Sequence, residues 1–255
     1  MPHMGHPLLP MLRKLMKWSK LDEADQQAVL DLPYQLRTIR RYDSIVHEGD
    51  HPNRSCLLVE GYAYRHKVVG TGGRQILALH VAGDIVDLQN ALLRTADHNV
   101  QALTDASVAF IPVASVVNIA FERPRVGLAM WYDTLVDASI HREWTANIGR
   151  RNAKARMSHL LCEFGVRLED AGLGTLCRYE LPMTQEELAD ALGLTSIHVN
   201  RTLKELDREG LTERNKKSVF ITDWQRLALA GDFDPAYLHI ADEQSGIAVG
   251  LGRSI

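Results

Sequence analysis

Three cysteines, Cys56, Cys162 and Cys177, are all that the 255 residues hold. They are too few and too scattered for a disulfide framework or for a four-ligand zinc or iron–sulfur site, so a reducing cytoplasm is the expected compartment. Long apolar runs are missing too. No stretch approaches the roughly 20 apolar residues of a membrane span. Leu8 to Trp18 is broken by Arg13, Lys14 and Lys17, which leaves no signal-peptide core. A membrane is therefore not an expected partner. Nor is there an excess of one charge: 29 Lys and Arg against 32 Asp and Glu give a formal net charge of -3. That excludes a globally basic nucleic-acid coat, and any affinity for nucleic acid has to come from a local cluster of cations.

Signatures of catalysis are equally sparse. His47, His66, His80 and His98 stand apart, with none of the His-x-His pairing that a cupin-like metalloenzyme needs, and no nucleophile sits in a recognisable strained turn. His3 and His6, with His141 or His159, match no closed metal-site spacing. No enzyme activity, metal or cofactor is expected.

What is present is a change of texture along the chain. With 45% hydrophobic and 24% charged residues, its length suits two small domains and a connector. Residues 7 to 31 read as short helices, with Asp22 capping the second and Asp25 adding charge to its first turn. From Gln35 to Pro112, short runs of Val, Ile, Leu and Tyr are cut by glycines, the pattern of a compact β-barrel or roll. Pro124 to Gly149 then reads as one long helix, on which Leu128, Trp131, Leu135 and Ala138 recur at spacings of three and four. That stripe either packs on the roll or meets a second copy of itself in a coiled coil, and a helix between two domains favours the homodimer. Asn152 is placed to cap a further helix through Met157, Leu160, Leu161 and Phe164. The expected units are residues 1–123, a β-roll with N-terminal helices; 124–151, a dimerisation helix; 152–240, a DNA-binding domain; and 241–255, a flexible tail rich in Gly and Ser.

The most constrained segment lies in the third unit. Counting from Gln185, apolar Leu188, small Ala189, Leu192, Gly193, Leu194, Val199 and Leu203 fall at the offsets of a helix-turn-helix. Ala189 must be small where two helices cross, Gly193 permits the tight turn, and Leu188, Leu192, Leu194 and Val199 bury the inner faces. Thr195 or Ser196 caps the second helix. An ordinary helical hairpin would meet few of these constraints together. The outward face carries Ser196, His198, Asn200, Arg201 and Lys204, donors and acceptors suited to double-stranded DNA. Arg201 is the first choice for a base contact, because its planar fork donates two hydrogen bonds to guanine O6 and N7. Two extended runs around Arg214 to Lys217 read as a wing. Lys216 and Lys217 at its tip serve either solubility or, beside a recognition helix, phosphate contact. Cys162 falls in an apolar stripe and is expected to be buried, whereas Cys177 lies in a short polar segment where oxidation would disturb docking on DNA.

A β-roll, a long helix and a winged helix-turn-helix in that order resemble the Crp/Fnr superfamily of bacterial transcription regulators. The resemblance rests on the run Leu188-Ala189-Asp190-Ala191-Leu192-Gly193-Leu194-Thr195-Ser196-Ile197-His198-Val199-Asn200-Arg201-Thr202-Leu203. In the roll, His47-Glu48-Gly49-Asp50, Leu58-Val59-Glu60-Gly61 and Ala82-Gly83-Asp84 look like family turns. It implies an α+β fold with an N-terminal cyclic-nucleotide-binding-like β-roll, a long dimerisation helix and a C-terminal winged helix-turn-helix. It also implies a homodimer on a palindromic operator, and contact with RNA polymerase for which the loop Asp87 to Asn90 is a candidate.

The chain departs from the family's best-known branches. Where cyclic-nucleotide binders carry Gly-Glu and then Arg-Ser or Arg-Thr for the cyclic phosphate, it has Asp87-Leu88 and Ala96-Asp97, with Arg94 the nearest cation. Cyclic AMP and GMP are therefore not the expected signal. The cysteine cluster of the oxygen-sensing branch is absent, since no cysteine precedes Cys56. The family position four before Arg201, often a base-reading glutamate, is Ile197. An isoleucine there either touches a thymine methyl group or packs against the first helix, and the sequence leaves both open. An unidentified signal at the roll is one reading of regulation; control by abundance, with no effector, is the other.

Overall fold

The computed structural model describes residues 5–215 and 217–240; His3, Lys216 and the expected tail over 241–255 lie outside the described residues. Helix α1 (Leu9–Trp18) has Pro10 in its first turn, where a missing N–H removes no helical bond, and buries Met11, Leu12 and Leu15. Helix α2 (Glu23–Leu30) opens with a capping box: the Asp22 carboxylate accepts from Asp25 N and the Asp25 carboxylate from Asp22 N.

Seven strands follow: β1 (Gln35–Ile39), β2 (Ser44–Val46), β3 (Arg54–Glu60), β4 (Ala63–Val68), β5 (Arg74–His80), β6 (Asn99–Ala102) and β7 (Ala106–Pro112). They form two antiparallel sheets, ordered β1-β7-β3 and β2-β6-β4-β5, that close on Val46, Leu58, Ala63, Val100, Ala102 and Val108. Only glycine fits the β3–β4 turn: at Gly61 φ is +87° and a Cβ would lie 2.6 Å from the carbonyl oxygen of Asp105.

The expectation of an exposed loop at Asp87 to Asn90 is corrected. Leu88–Ala91 is a 3-10 turn in which Asp87 and Asn90 are buried, because the Asp87 carboxylate accepts from Cys56 N at 2.7 Å and holds the segment against the roll. Burial pushes the Asp87 carboxyl up to about 6, although the hydrogen bonds from Cys56 oppose it.

Helix α3 (Val113–Glu122) leads into α4 (Pro124–Arg150). Arg151 turns to extended backbone, Asn152 caps through Ala155 N, and α5 (Ala153–Asp170) follows with Met157, Leu160, Leu161 and Phe164 all buried. Strand β8 (Arg178–Glu180), helix α6 (Gln185–Leu192), helix α7 (Ser196–Arg208), β9 (Thr212–Asn215), β10 (Ser218–Ile221) and α8 (Trp224–Ala230) complete the described chain with a 3-10 turn at Pro235–Leu238. Strands β8, β10 and β9 form the third sheet. The sequence pattern misses β8, whose three residues are too short to show alternation, and α8, which Asp223 caps through Arg226 N. No described helix is long and apolar enough to cross a membrane.

Apolar packing joins the two halves. Tyr64, Ile76 and Leu79 of the roll share one buried cluster with Leu188, Ala191 and Leu192 of α6 and with the α5 face. Buried charges join them as well. Lys14 Nζ bridges Asp84 and Asp133 at 2.8 Å each, and Arg167 reaches Asp84 at 3.3 Å and the carbonyl oxygen of Leu79 at 2.8 Å. Burial works against the Asp84 carboxylate, yet Lys14, a hydrogen bond from His80 and Arg167 outweigh it and hold its pKa well below the ordinary value. In α5, Glu163 is fully buried and accepts from Trp144 Nε1 at 2.9 Å and from the Tyr237 hydroxyl at 2.7 Å, which fastens α4 and the last 3-10 turn to α5.

His80 sits 3.5 Å from Asp84 in this cluster, and burial lowers its pKa to about 4 despite that carboxylate. An unfolded chain takes up the same proton near pH 6.5. Between those values the unfolded state binds more protons, so stability rises with pH; the contribution is complete above about 6.5 and is lost as pH falls towards 4. His80→Gln is expected to flatten the acid limb by roughly 3 kcal/mol, read from urea midpoints across the window. An acid limb parallel to the wild type's would remove His80 from that dependence.

Candidate nucleic-acid interface

The segment that positions the interface is fixed locally at every turn. Thr184 caps α6 through a capping box, its hydroxyl accepting from Glu187 N at 3.1 Å while the Glu187 carboxylate accepts from Thr184 N at 2.6 Å. At the other end Gly193 adopts φ 61° and ψ 42°, and Leu194 N donates to the Ala189 carbonyl. A Cβ at Gly193 would also come within 3.1 Å of the Ile148 side chain, so this turn is built against the end of α4. Arg156 of α5 donates to the carbonyl oxygen of Leu192 at 2.9 Å, satisfying an acceptor that the helix end leaves open. Thr195, rather than Ser196, caps α7, accepting from His198 N.

Helix α7 buries Val199, Thr202 and Leu206 against its neighbours and turns the opposite side out. That outward side is the wall of an open groove lined by Gln185, Ser196, Ile197, Asn200, Arg201, Lys204 and Arg208. Four residues expected from the sequence, Ser196, Asn200, Arg201 and Lys204, are thus brought together. His198 is exposed but stands outside this groove, because its place on the helix is about a quarter turn or more from Ile197 and Lys204. Lys217 is exposed at the β9–β10 hairpin, where its carbonyl accepts from Leu181 N; Lys216 lies outside the described residues. Two groove residues, Gln185 and Arg208, escape the sequence pattern as contact candidates. Gln185 begins α6 and needs the fold to bring it beside α7, whereas Arg201, Lys204 and Arg208 show the i, i+3, i+7 spacing that would have found Arg208. Ile197 is placed in the sequence by position only, and the structure decides its environment: its side chain is 80% exposed.

The groove's inner neighbour is the roll. Arg74 Nε meets Asp190 Oδ2 at 2.7 Å, and Gln75 Nε2 donates to the Asp190 carbonyl at 2.7 Å. Arg41 lies 3.5 Å from Glu187. Helix α6 is therefore held from the sheet side by three residues of the roll and from the helix side by Arg156.

Along α4, Leu128, Trp131 and Leu135 are 46%, 65% and 53% exposed, and Ala138 is half-buried on the same stripe. Val126, Ala129, Met130, Asp133 and Val136 are buried instead. The stripe thus does not pack on the chain's own roll. In the roll, Arg65 is buried and committed to the long helix and to the segment after β5: it donates to Asp137 at 2.9 Å and to the Val86 carbonyl at 2.9 Å. Ala96 is buried and Asp97 is exposed, hydrogen-bonded to His98 at 2.6 Å. Cys162 is buried, and burial pushes its thiol up to about 12, so no thiolate forms there near neutral pH; Cys177 is exposed. Among the described residues no group of three or more His, Cys, Asp or Glu is arranged to hold a metal ion.

Comparisons with known proteins agree with this geometry. Residues 155–230 match the model of a Crp-like helix-turn-helix domain, and residues 36–123 match that of a cyclic nucleotide-binding domain. The transcriptional activator protein FnrL of Cereibacter sphaeroides is 28% identical over 212 residues, covering 80% of this chain and 84% of the relative. A probable transcriptional activator of Rhizobium leguminosarum bv. viciae is 25% identical over 203 residues, covering 76% and 83%. Among solved structures, FixK2 from Bradyrhizobium japonicum superposes with a TM-score of 0.72 at 24% identity, over 78% of this chain and 98% of its own. A CooA mutant from Carboxydothermus hydrogenoformans gives 0.64 at 18% identity, over 86% and 95%.

Proposed function

The chain belongs to the Crp/Fnr superfamily of DNA-binding transcription regulators, and on that premise we propose that it acts in the cytoplasm as a homodimer that reads a palindromic operator with α7. The observation that carries this reading is the groove on α7, where Asn200, Arg201, Lys204 and Arg208 share one outward side with Ser196. Arg201 takes the base contact, bidentate to guanine; Lys204 and the wing lysines Lys216 and Lys217 take phosphates; Ser196 and His198 complete the polar surface at the start of the helix. The capped start of α7 also directs its N-terminal turn at the duplex, as recognition helices require.

Helix α4 supplies the second copy's docking seam through Leu128, Trp131, Leu135 and Ala138. Large apolar side chains repeating at helical spacing and left in water are a seam in want of a partner. Two copies joined there present two α7 helices, which enter successive major grooves about 34 Å apart. RNA polymerase is the further partner, and the buried Asp87 and Asn90 are not the residues that meet it.

Regulation runs through the roll. Any signal that shifts β5 moves Arg74 and Gln75, and with them α6 and the presentation of α7. Cyclic AMP and GMP do not fit this role, because Arg65 is already taken by Asp137 and no arginine replaces Ala96 or Asp97. Control by abundance is the alternative. A thermal-shift screen against metabolites separates the two, since a ligand of the folded state raises the melting temperature.

Arg201→Ala is expected to cost about 1 to 3 kcal/mol at one base position of the operator and to relax the preference there. Lys204→Ala is expected to weaken binding to all sequences alike and to flatten its salt dependence by about one unit of slope. Fluorescence anisotropy on operator and random duplexes at several salt concentrations reads both; wild-type behaviour of the two variants would overturn the assignment. Replacing Trp131 and Leu135 together by Asp is expected to give monomers in sedimentation and to lose operator binding, while the exposed positions leave the fold of each copy intact. A dimer unchanged by that replacement would place the seam elsewhere.

A further inference from the structure

We propose that Ile197 is a specificity-determining residue that reads the 5-methyl group of a thymine, in a base pair about two steps from the one read by Arg201. The inference rests on the reading of α7 as the recognition helix and names the base class that its first turn selects. Two roles are open to an isoleucine at this position, and the structure separates them. The inner face of α7 is filled by Val199, Thr202 and Leu206, whereas the Ile197 side chain is 80% exposed and so is not buried between α7 and α6. It lies instead in the outward groove, flanked by Ser196, Asn200, Arg201, Lys204 and Arg208.

An aliphatic side chain set among donors and cations has no hydrogen bond to offer and no charge to pair. Of the groups that base pairs present in the major groove, the thymine methyl is the apolar one, so it is the group whose burial such a side chain rewards. Spacing fixes the position. Ile197 precedes Arg201 by one helical turn on the same side, a rise of about 6 Å, and base pairs stack about 3.4 Å apart. The two contacts therefore fall about two base steps from each other. The occupant of this apolar point is the duplex itself, because the residues around it are the ones that face phosphates and base edges.

The test first selects the preferred site of the full-length wild type from random duplex DNA. Each thymine of that site is then replaced in turn by deoxyuridine, which removes the methyl group and nothing else. Wild type is expected to bind about fourfold more weakly at one thymine per half-site, the equivalent of leaving one methyl group unburied. That thymine is expected about two steps from a guanine whose preference is lost in Arg201→Ala. Ile197→Ala is expected to bind the thymine and deoxyuridine sites equally, with an unchanged melting temperature, which shows that the variant is folded. Ile197→Glu, reselected from random DNA, is expected to lose thymine at that position. Indifference of wild type to every deoxyuridine, or an equal penalty in wild type and Ile197→Ala, would overturn the inference while leaving DNA reading intact. Failure of wild type to enrich any sequence would overturn the recognition-helix reading and this inference with it.

Discussion

The placement of α7 depends on how firmly α6 is held beneath it. Leu188, Ala189 and Leu192 of α6 sit in the apolar cluster that also holds Val199 and Leu206 of α7 and the α5 face, and Lys154 of α5 reaches Glu209 at the end of α7 at 2.6 Å, so α7 takes its position from α6 and α5 together. The C-terminal carbonyls of α6 are claimed by Arg156 of α5 and by Gln75 of the roll, and its outer carboxylate by Arg74. A helix of eight residues gains little from propensity alone, and its register comes from these tertiary contacts. The roll and the elbow between α4 and α5 thus both bear on α6, while α5 also meets α7 directly.

The buried polar groups serve the same end. Apolar packing tolerates sliding by a fraction of an ångström, whereas a buried carboxylate that loses its partner costs several kcal/mol. Asp84, shared by Lys14 and Arg167, and Glu163, shared by Trp144 and Tyr237, join the N-terminal helix, the roll, the long helix and the DNA-reading half at fixed points. Arg65 does this between the roll and α4 through Asp137. In a cyclic-nucleotide-binding fold the roll interior is where an anionic ligand would meet a cation. Here the matching positions are Ala96 and Asp97, and the cation that the roll does bury, Arg65, is satisfied by Asp137 of the long helix.

Much of the candidate DNA-reading site is legible in the sequence. Ala189, Gly193 and the apolar set around them are constrained by neighbours a few residues away, and Arg201 and Lys204 share a face because four and three residues make about one helical turn. The groove's other members are less legible. Gln185 joins it only because α6 and α7 cross, and His198, suited by its chemistry, stands to one side because a single residue step rotates the helix by about 100°. The segment from Asp87 to Asn90 misleads for a related reason: polar residues look solvated in a sequence, and only the hydrogen bond from Cys56 N shows that Asp87 is buried.

The order of roll, long helix and winged helix-turn-helix, the motif's caps and its glycine turn, the apolar stripe of α4 and the departures from a cyclic-phosphate site all follow from the amino-acid sequence alone. These are local or periodic facts, written in residues close enough along the chain to constrain one another. The folded chain had to show that the α4 stripe faces outward, that Ile197 faces the groove, that Cys162 is sealed in the core, and that Arg74 meets Asp190, 116 positions later. Such pairs leave no spacing to read, because the chain between them folds back through a full domain before the two side chains meet.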